Sequence, residues 1–91
     1  MERKHLDIRV AGRVQGVGFR ASAAQKARLL ALTGFVRNER DGSVYIEAEG
    51  EPEVLDEFVA WCKLGPPAAV VKSCDVQETS MKHYPNFSIQ H

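Results

Sequence analysis

A segment with three glycines and an arginine at its end is the part of this sequence best suited to chemistry. Residues Gly12 to Arg20 read GRVQGVGFR. Glycine allows the backbone to turn so that successive N–H groups point into one concavity, which can bind an anion. A helix beginning near Arg20 would add free amides, and the guanidinium offers a planar fork of donors that matches phosphate oxygens. The segment indicates an anion site, although a plain turn with a solvated arginine fits the same residues.

Asn38 is the second candidate for a chemical role. It closely precedes Asp41-Gly42, a pair typical of a tight primed hairpin turn. A carboxamide can accept a hydrogen bond from water through its oxygen and donate one through its nitrogen, but it is too weak a base to take a proton. Next to a hairpin, the same side chain could instead bond to the backbone of the turn.

The histidines and cysteines show no pattern of a metal or disulfide site. His5, His83 and His91 have no metal-ligand spacing with one another or with a cysteine, so we expect exposed histidines and no bound metal. Cys62 and Cys74 form no Cys-x-x-Cys pair, which favours free thiols in a reducing compartment. Cys62 is expected in the core.

Hydrophobic periodicity predicts the elements that must position Arg20 and Asn38. In chain order these are a strand over 6–10 that stops at Gly12, a helix over 20–32 closed by Thr33-Gly34, strands over 35–39 and 43–49, a helix from Pro52 stopped by Gly65, a strand over 69–78 and a short edge strand over 87–89. In the strand over 43–49, the apolar side chains face the core. Glu47 and Glu49 are expected on the opposite, solvated face and not as a catalytic pair.

This order of elements predicts an α+β fold of the ferredoxin-like type. It is a βαββαβ two-layer sandwich, with an antiparallel sheet and two helices on one face, and we expect one domain over 1–91. In that topology the first two strands run parallel with the third between them. The loop before Arg20 and the end of the strand carrying Asn38 then meet at one edge of the sheet.

Composition excludes several classes of partner. The 91 residues are enough for one small core, and 44% are apolar, which is too many for a disordered chain. Twelve basic and twelve acidic residues cancel, so the chain lacks the positive surface expected of a protein that binds nucleic acid or an anionic membrane. No apolar run has the length of a signal peptide or membrane span. We expect a cytoplasmic monomer.

Two motifs in order make the chain resemble a known family. The Gly12–Arg20 segment, followed by TGFVRNERDGSV over 33–44, is similar to the acylphosphatase family. The resemblance implies a cofactor-free hydrolase that cleaves the carboxyl–phosphate anhydride of a small acyl phosphate. It implies that Arg20 binds the phosphate and that Asn38 orients the attacking water. The backbone amides expected to hold the remaining phosphate oxygens are those of Gln15, Gly16, Val17, Gly18 and Phe19.

The chain departs from the family pattern at two helix positions. It has Ala23 where the family often has threonine, and Ala31 near the helix end where the family often has glycine. We therefore expect the end of this helix to differ from the glycine-containing end that is common in the family.

Two other functions share this order of elements. An RNA-binding module would stack bases on aromatic residues of the first and third strands, but Tyr45 is the one aromatic residue there. An accessory domain of a larger maturation protein would keep the anion site without turnover.

Overall fold

The computed structural model describes residues 2–91, and its elements follow the predicted order. They are β1 (Lys4–Arg13), α1 (Phe19–Leu29), β2 (Thr33–Asn38), β3 (Val44–Gly50), α2 (Pro52–Leu64), β4 (Val70–Thr79) and β5 (Phe87–Ile89). Helix α2 begins at a proline and ends before Gly65, as predicted. In the described part of the chain, no helix is long and apolar enough to cross a membrane.

The five strands form one sheet in the order β4-β1-β3-β2-β5. Strand β3 pairs antiparallel with both β1 and β2, so the predicted ferredoxin-like arrangement is confirmed. Strand β5 lies at the edge, as expected, but runs parallel to β2. The sheet is therefore mixed and not wholly antiparallel.

The core lies between the helices and one face of the sheet. Residues at alternate positions of β1 and β3 point into it, as the sequence predicted. The fully buried side chains from the two layers include Ile8, Val10, Val44, Ile46, Ala23, Ala27, Leu55, Phe58 and Cys62. Burial of this apolar face supplies the main driving force for the fold.

The end of α1 differs from its predicted form. The helix stops at Leu29 instead of Leu32, and Thr33 and Gly34 belong to β2 instead of closing the helix. Leu32 N–H bonds to Ala27 C=O at 2.9 Å and Ala31 N–H bonds to Arg28 C=O at 3.1 Å. These are the two bonds of a Schellman motif, with Ala31 in the left-handed conformation at φ 58°. The helix therefore ends in a Schellman motif without a glycine.

The hairpin between β2 and β3 was predicted correctly, but its turn was not. Both primed turns need positive φ at the first central residue, whereas Asp41 does not have it and Gly42, the second, does, at φ 93°. Glu39 N–H bonds to Ser43 C=O, and Gly42 N–H bonds to Glu39 C=O. The turn therefore spans Glu39 to Ser43.

The second face of β3 is not solvated at Glu47 and Glu49, and the prediction for these residues was wrong. Glu49 is fully buried and Glu47 is 6% exposed. The prediction of exposed histidines was also wrong for His5, which is fully buried beside them, whereas His83 and His91 are exposed. The chain between β4 and β5 covers this end of the sheet, because Lys82 and Tyr84 contact both carboxylates.

Candidate active site

A cavity of about 180 Å³ lies where the loop after β1 meets the end of β2. Seven residues line it: Val14, Gly16, Gly18, Phe19, Arg20, Ala21 and Asn38. Arg20 and Asn38, far apart in sequence, are therefore brought to one site. The sheet topology explains this, since β1 and β2 run in the same direction on either side of β3.

The loop between β1 and α1 forms the base of the cavity. Gly16 and Gly18 have φ of 74° and 79°, a left-handed conformation that other residues adopt only with strain. The first backbone bond of α1 runs from Ser22 N–H to Gly18 C=O, at 3.0 Å. The amides of residues 19–21 precede it and have no partner within the helix. These N–H groups and the helix dipole make this end of the cavity attractive to an anion.

Two buried side chains hold the loop in place. Val14 at its start is 1% exposed, and Phe19 at its end is 2% exposed. The Phe19 ring packs against Trp61 of α2 with a centroid distance of 5.3 Å. The loop is thus anchored in the core at both ends, while its glycines stay at the surface.

Arg20 is the one charged residue among the described residues that line the cavity. Its Nη1 donates to the carbonyl oxygen of Gln90 at 3.0 Å and lies 3.4 Å from Nδ1 of His91. No other hydrogen bond of this guanidinium occurs within residues 2–91, so Nε and Nη2 are free of protein acceptors. The side chain can therefore be held by the chain's last residues and still present donors to a ligand.

Asn38 is the last residue of β2 and pairs with Val44 across the ladder. It is half-buried and lines the cavity opposite a charged donor, with no carboxylate, imidazole or thiol among the described lining residues. The cavity can therefore bind an anion and orient water, but offers no strong base.

The predicted substrate-binding residues are only partly brought together. Gly16, Gly18 and Phe19 line the cavity, whereas Gln15 and Val17 do not. The side chain of Gln15 points to the hairpin, where Nε2 donates to the carbonyl oxygens of Glu39 at 2.7 Å and Ser43 at 2.9 Å. Sequence reasoning missed this contact and the contact of Arg20 with Gln90, because neither leaves a local pattern.

A buried cluster of charged residues lies on the other face of the sheet. His5 Nδ1 lies 2.7 Å from Glu49 Oε2, and Nε2 lies 2.9 Å from Asp7 Oδ1 and 3.2 Å from Glu47 Oε1. Because both nitrogens face carboxylates, the surroundings of the ring favour the doubly protonated imidazolium. Ligand atoms of His5, Asp7 and Glu47 lie within 4.8 Å of one another, and a metal ion could bind to them only by displacing the proton on Nε2 of His5.

The pKa values in this cluster follow from burial and hydrogen bonding. Burial alone would lower the pKa of His5, but the bonds to Glu49 and Asp7 outweigh it and hold that pKa above its usual value. Burial would raise the pKa of Glu49, but the Lys82 amide and His5 outweigh it and hold that pKa below its usual value. The pKa of Glu47 is lowered against burial by the hydroxyls of Tyr84 and Tyr45 and by Lys82. In each case the shift favours the charged form of the group.

Comparison with known proteins decides the family. The acylphosphatase family model matches residues 6–89, nearly the whole chain. The chain belongs to the acylphosphatase family. An acylphosphatase of Methylococcus capsulatus is 54% identical over 78 residues, which cover 86% of this chain and 85% of that protein. The crystal structure of acylphosphatase from Bacillus subtilis superposes with a TM-score of 0.94 at 40% identity, covering 97% of this chain and 99% of that one.

The same fold occurs inside a much longer protein. Full-length HypF, crystallised in a phosphate- and nucleotide-bound form, matches with a TM-score of 0.89 at 32% identity. The match covers 99% of this chain but 12% of HypF. The predicted family, fold and class of enzyme are confirmed by the relatives, while the role of each residue is a separate question.

Proposed function

We propose that this acylphosphatase-family chain hydrolyses small acyl phosphates with Arg20 as the phosphate-binding residue and Asn38 as the residue that orients water. One observation carries the proposal: a guanidinium, a set of free helix amides and a carboxamide line one cavity. In this proposal the amides of Gly16 and of residues 18–21, together with the free nitrogens of Arg20, hold the non-bridging oxygens of a phosphoryl group.

Water attacks the phosphorus atom in the proposed reaction, and the bond from phosphorus to the bridging carboxyl oxygen breaks. The carboxylate leaves with the electron pair of that bond and needs no proton, because it is a stable anion. The proton lost by the water goes to a phosphate oxygen, since the cavity supplies no base. Such phosphoryl transfer has a loose transition state, so positioning and charge stabilisation provide most of the rate increase.

The proposed reaction needs no metal ion. Arg20 and the amides supply the positive charge that a metal would bring to the phosphate oxygens. We therefore propose a reaction that proceeds in the presence of a chelator.

We further propose that the chain works as one domain and as a monomer in the cytoplasm, without nucleic acid. Against the RNA-binding alternative, the guanidinium groups of Arg9 and Arg37 lie over the ring of Tyr45, at 5.1 and 4.9 Å from its centroid. They occupy the stacking surface that a base would need. The likeness to HypF keeps the accessory-domain alternative open, and turnover distinguishes it from an enzyme.

Two substitutions test the roles of the site residues. With a chromophoric acyl phosphate and a chelator present, Arg20→Lys should lower kcat/KM about 100-fold, because a point charge cannot replace a bidentate fork. Asn38→Ala should lower kcat by a similar factor with little change in KM, because water positioning acts on the transition state. Circular dichroism should show both variants folded.

Matched variants separate the site from general effects. Arg13→Lys changes an exposed arginine at the end of β1 that does not line the cavity, and Asn86→Ala changes an exposed asparagine, so both should keep the wild-type rate. Full activity in Arg20→Lys and Asn38→Ala would refute the assigned roles. Loss of wild-type activity with chelator would refute the metal-free scheme, and phosphate binding without turnover would favour the accessory domain.

A further inference from the structure

The side chain of Gln15 joins the two halves of the site. Its Nε2 donates both hydrogens, one to the carbonyl oxygen of Glu39 and one to that of Ser43. These two carbonyls lie at the two ends of the hairpin turn, and Glu39 directly follows Asn38. One amide group from the phosphate loop therefore reaches the segment that carries the water-positioning residue.

The turn also has hydrogen bonds of its own, which do not involve Gln15. Glu39 N–H bonds to Ser43 C=O at 2.9 Å, and Gly42 N–H bonds to Glu39 C=O at 3.2 Å. Asp41 Oδ1 accepts from the Ser43 amide at 2.9 Å and from the Ser43 hydroxyl at 2.6 Å. The two Gln15 bonds thus determine where the turn lies, while these other bonds determine how it folds.

The loop is also fixed independently of Gln15. Val14 and Phe19 bury their side chains in the core on either side of it, and α1 begins at Phe19. The loop and the 39–43 turn are thus each held by contacts of their own. The bonds of Gln15 therefore mainly set the distance and angle between the loop and the turn.

We propose that Gln15 is a positioning residue, whose side-chain amide ties the phosphate loop to the 39–43 turn and so sets Asn38 relative to the bound phosphate. The proposal rests on the hydrolytic function proposed above. A rigid tie matters because a shift of about 1 Å in a reacting group can lower a rate by up to 100-fold. Gln15 itself does not line the cavity, so the proposed effect on the reaction passes through Asn38.

The test is a double-mutant cycle of Gln15→Met with Asn38→Ala. Methionine matches glutamine in length but donates no hydrogen bond. In the wild-type background, Gln15→Met should lower kcat about tenfold, with KM and the inhibition constant of inorganic phosphate changed less than twofold. In the Asn38→Ala background the same change should lower kcat less than twofold, because the group it positions is gone.

A second variant and a control complete the design. Gln15→Glu places a carboxylate against two carbonyl oxygens and should lower kcat further, and it replaces Gln15→Met if that variant does not fold. Gln25→Met, at an exposed glutamine of α1, should leave kcat unchanged. In Gln15→Met, amide exchange should quicken at Glu39 and Gly42 but not within α1.

Specific outcomes would overturn the proposal. An equal loss of kcat in both backgrounds would show that Gln15 acts without Asn38, and a parallel rise in the phosphate inhibition constant would place its effect on the anion site. Wild-type kcat in Gln15→Met alongside an inactive Arg20→Lys would overturn the positioning role alone. A wild-type chain without turnover would overturn the hydrolytic function as well.

Discussion

Arg20 enters the cavity with part of its guanidinium already bonded to the protein. The bond from Nη1 to the Gln90 carbonyl restricts the side chain before any ligand arrives. A free arginine side chain carries about 2 kcal/mol of rotamer entropy, part of which would otherwise be lost on binding phosphate. If Arg20 binds phosphate as proposed, the contact favours binding by preorganisation and leaves Nε and Nη2 without protein acceptors among the described residues.

Ala31 is a second residue whose conformation has a measurable cost. It is held at φ 58°, where its Cβ is strained, by the Schellman bonds that end α1. Glycine adopts this conformation without strain, so Ala31→Gly should raise the free energy of unfolding by about 1 kcal/mol. Urea denaturation measures the change as a shift of the midpoint at constant slope.

Ala60→Gly provides the matched control for that substitution. Ala60 is an exposed residue within α2, where glycine costs flexibility and relieves no strain. The Ala60→Gly substitution should lower the free energy of unfolding by about 1 kcal/mol. Destabilisation by both glycines would mean that Ala31 is not strained.

The elements show how far the sequence predicts this structure. Alternation along β1 and β3 predicted the inner face of the sheet, and the order of elements brought Arg20 next to Asn38. The burial of Glu47 and Glu49 could not be predicted, because it depends on a segment about 35 positions away that folds over them. Likewise, the side chain of Gln15 bonds to backbone carbonyls, which leave no trace in residue type.

Glu49 holds that covering segment through its backbone. Its Oε2 accepts from the amides of Lys82 and His83, at 2.6 and 3.3 Å, and Oε1 accepts from the amide of Tyr84 at 3.0 Å. In Glu49→Gln one of these oxygens becomes an NH₂ donor that faces other donors. The free energy of unfolding should fall by about 2–4 kcal/mol, measured by urea denaturation at pH 7.

Glu78→Gln, on the edge strand β4, is the control for that substitution. Its carboxylate is exposed and lies 3.7 Å from Lys4, so the pair contributes little. The substitution should change the free energy of unfolding by no more than about 0.5 kcal/mol. A Glu49→Gln variant as stable as this control would show that the covering segment does not depend on the carboxylate.

Across the whole molecule, the charged cluster and the cavity lie at opposite ends of the sheet. His5 is near the start of β1 and Glu49 near the end of β3, whereas the cavity follows the end of β1 and the end of β2. Strand β5 leads from the covering segment along β2 to Gln90, which holds Arg20. The chain that closes one end of the sheet therefore also reaches the active site.

The cluster makes the stability of the whole fold depend on pH. The raised pKa of His5 gives a stabilisation that is complete below pH 6.5 and is lost as pH rises through the folded-state value. The lowered pKa values of Glu47 and Glu49 give a stabilisation present above pH 4.5 and lost as pH falls through theirs. From these groups, the free energy of unfolding should be greatest between about pH 5 and 6.5.

Urea denaturation between pH 5 and 9 measures how the free energy of unfolding depends on the protonation of His5. Above pH 6.5 the free energy of unfolding should fall by up to about 1.4 kcal/mol per pH unit until His5 loses its proton. His5→Gln, which carries no titrating ring, should be less stable at pH 6 and should lack this slope, whereas His83→Asn, at an exposed left-handed position, should keep it. The same slope in His5→Gln would mean that another group titrates there and that His5 is not the source of the pH dependence.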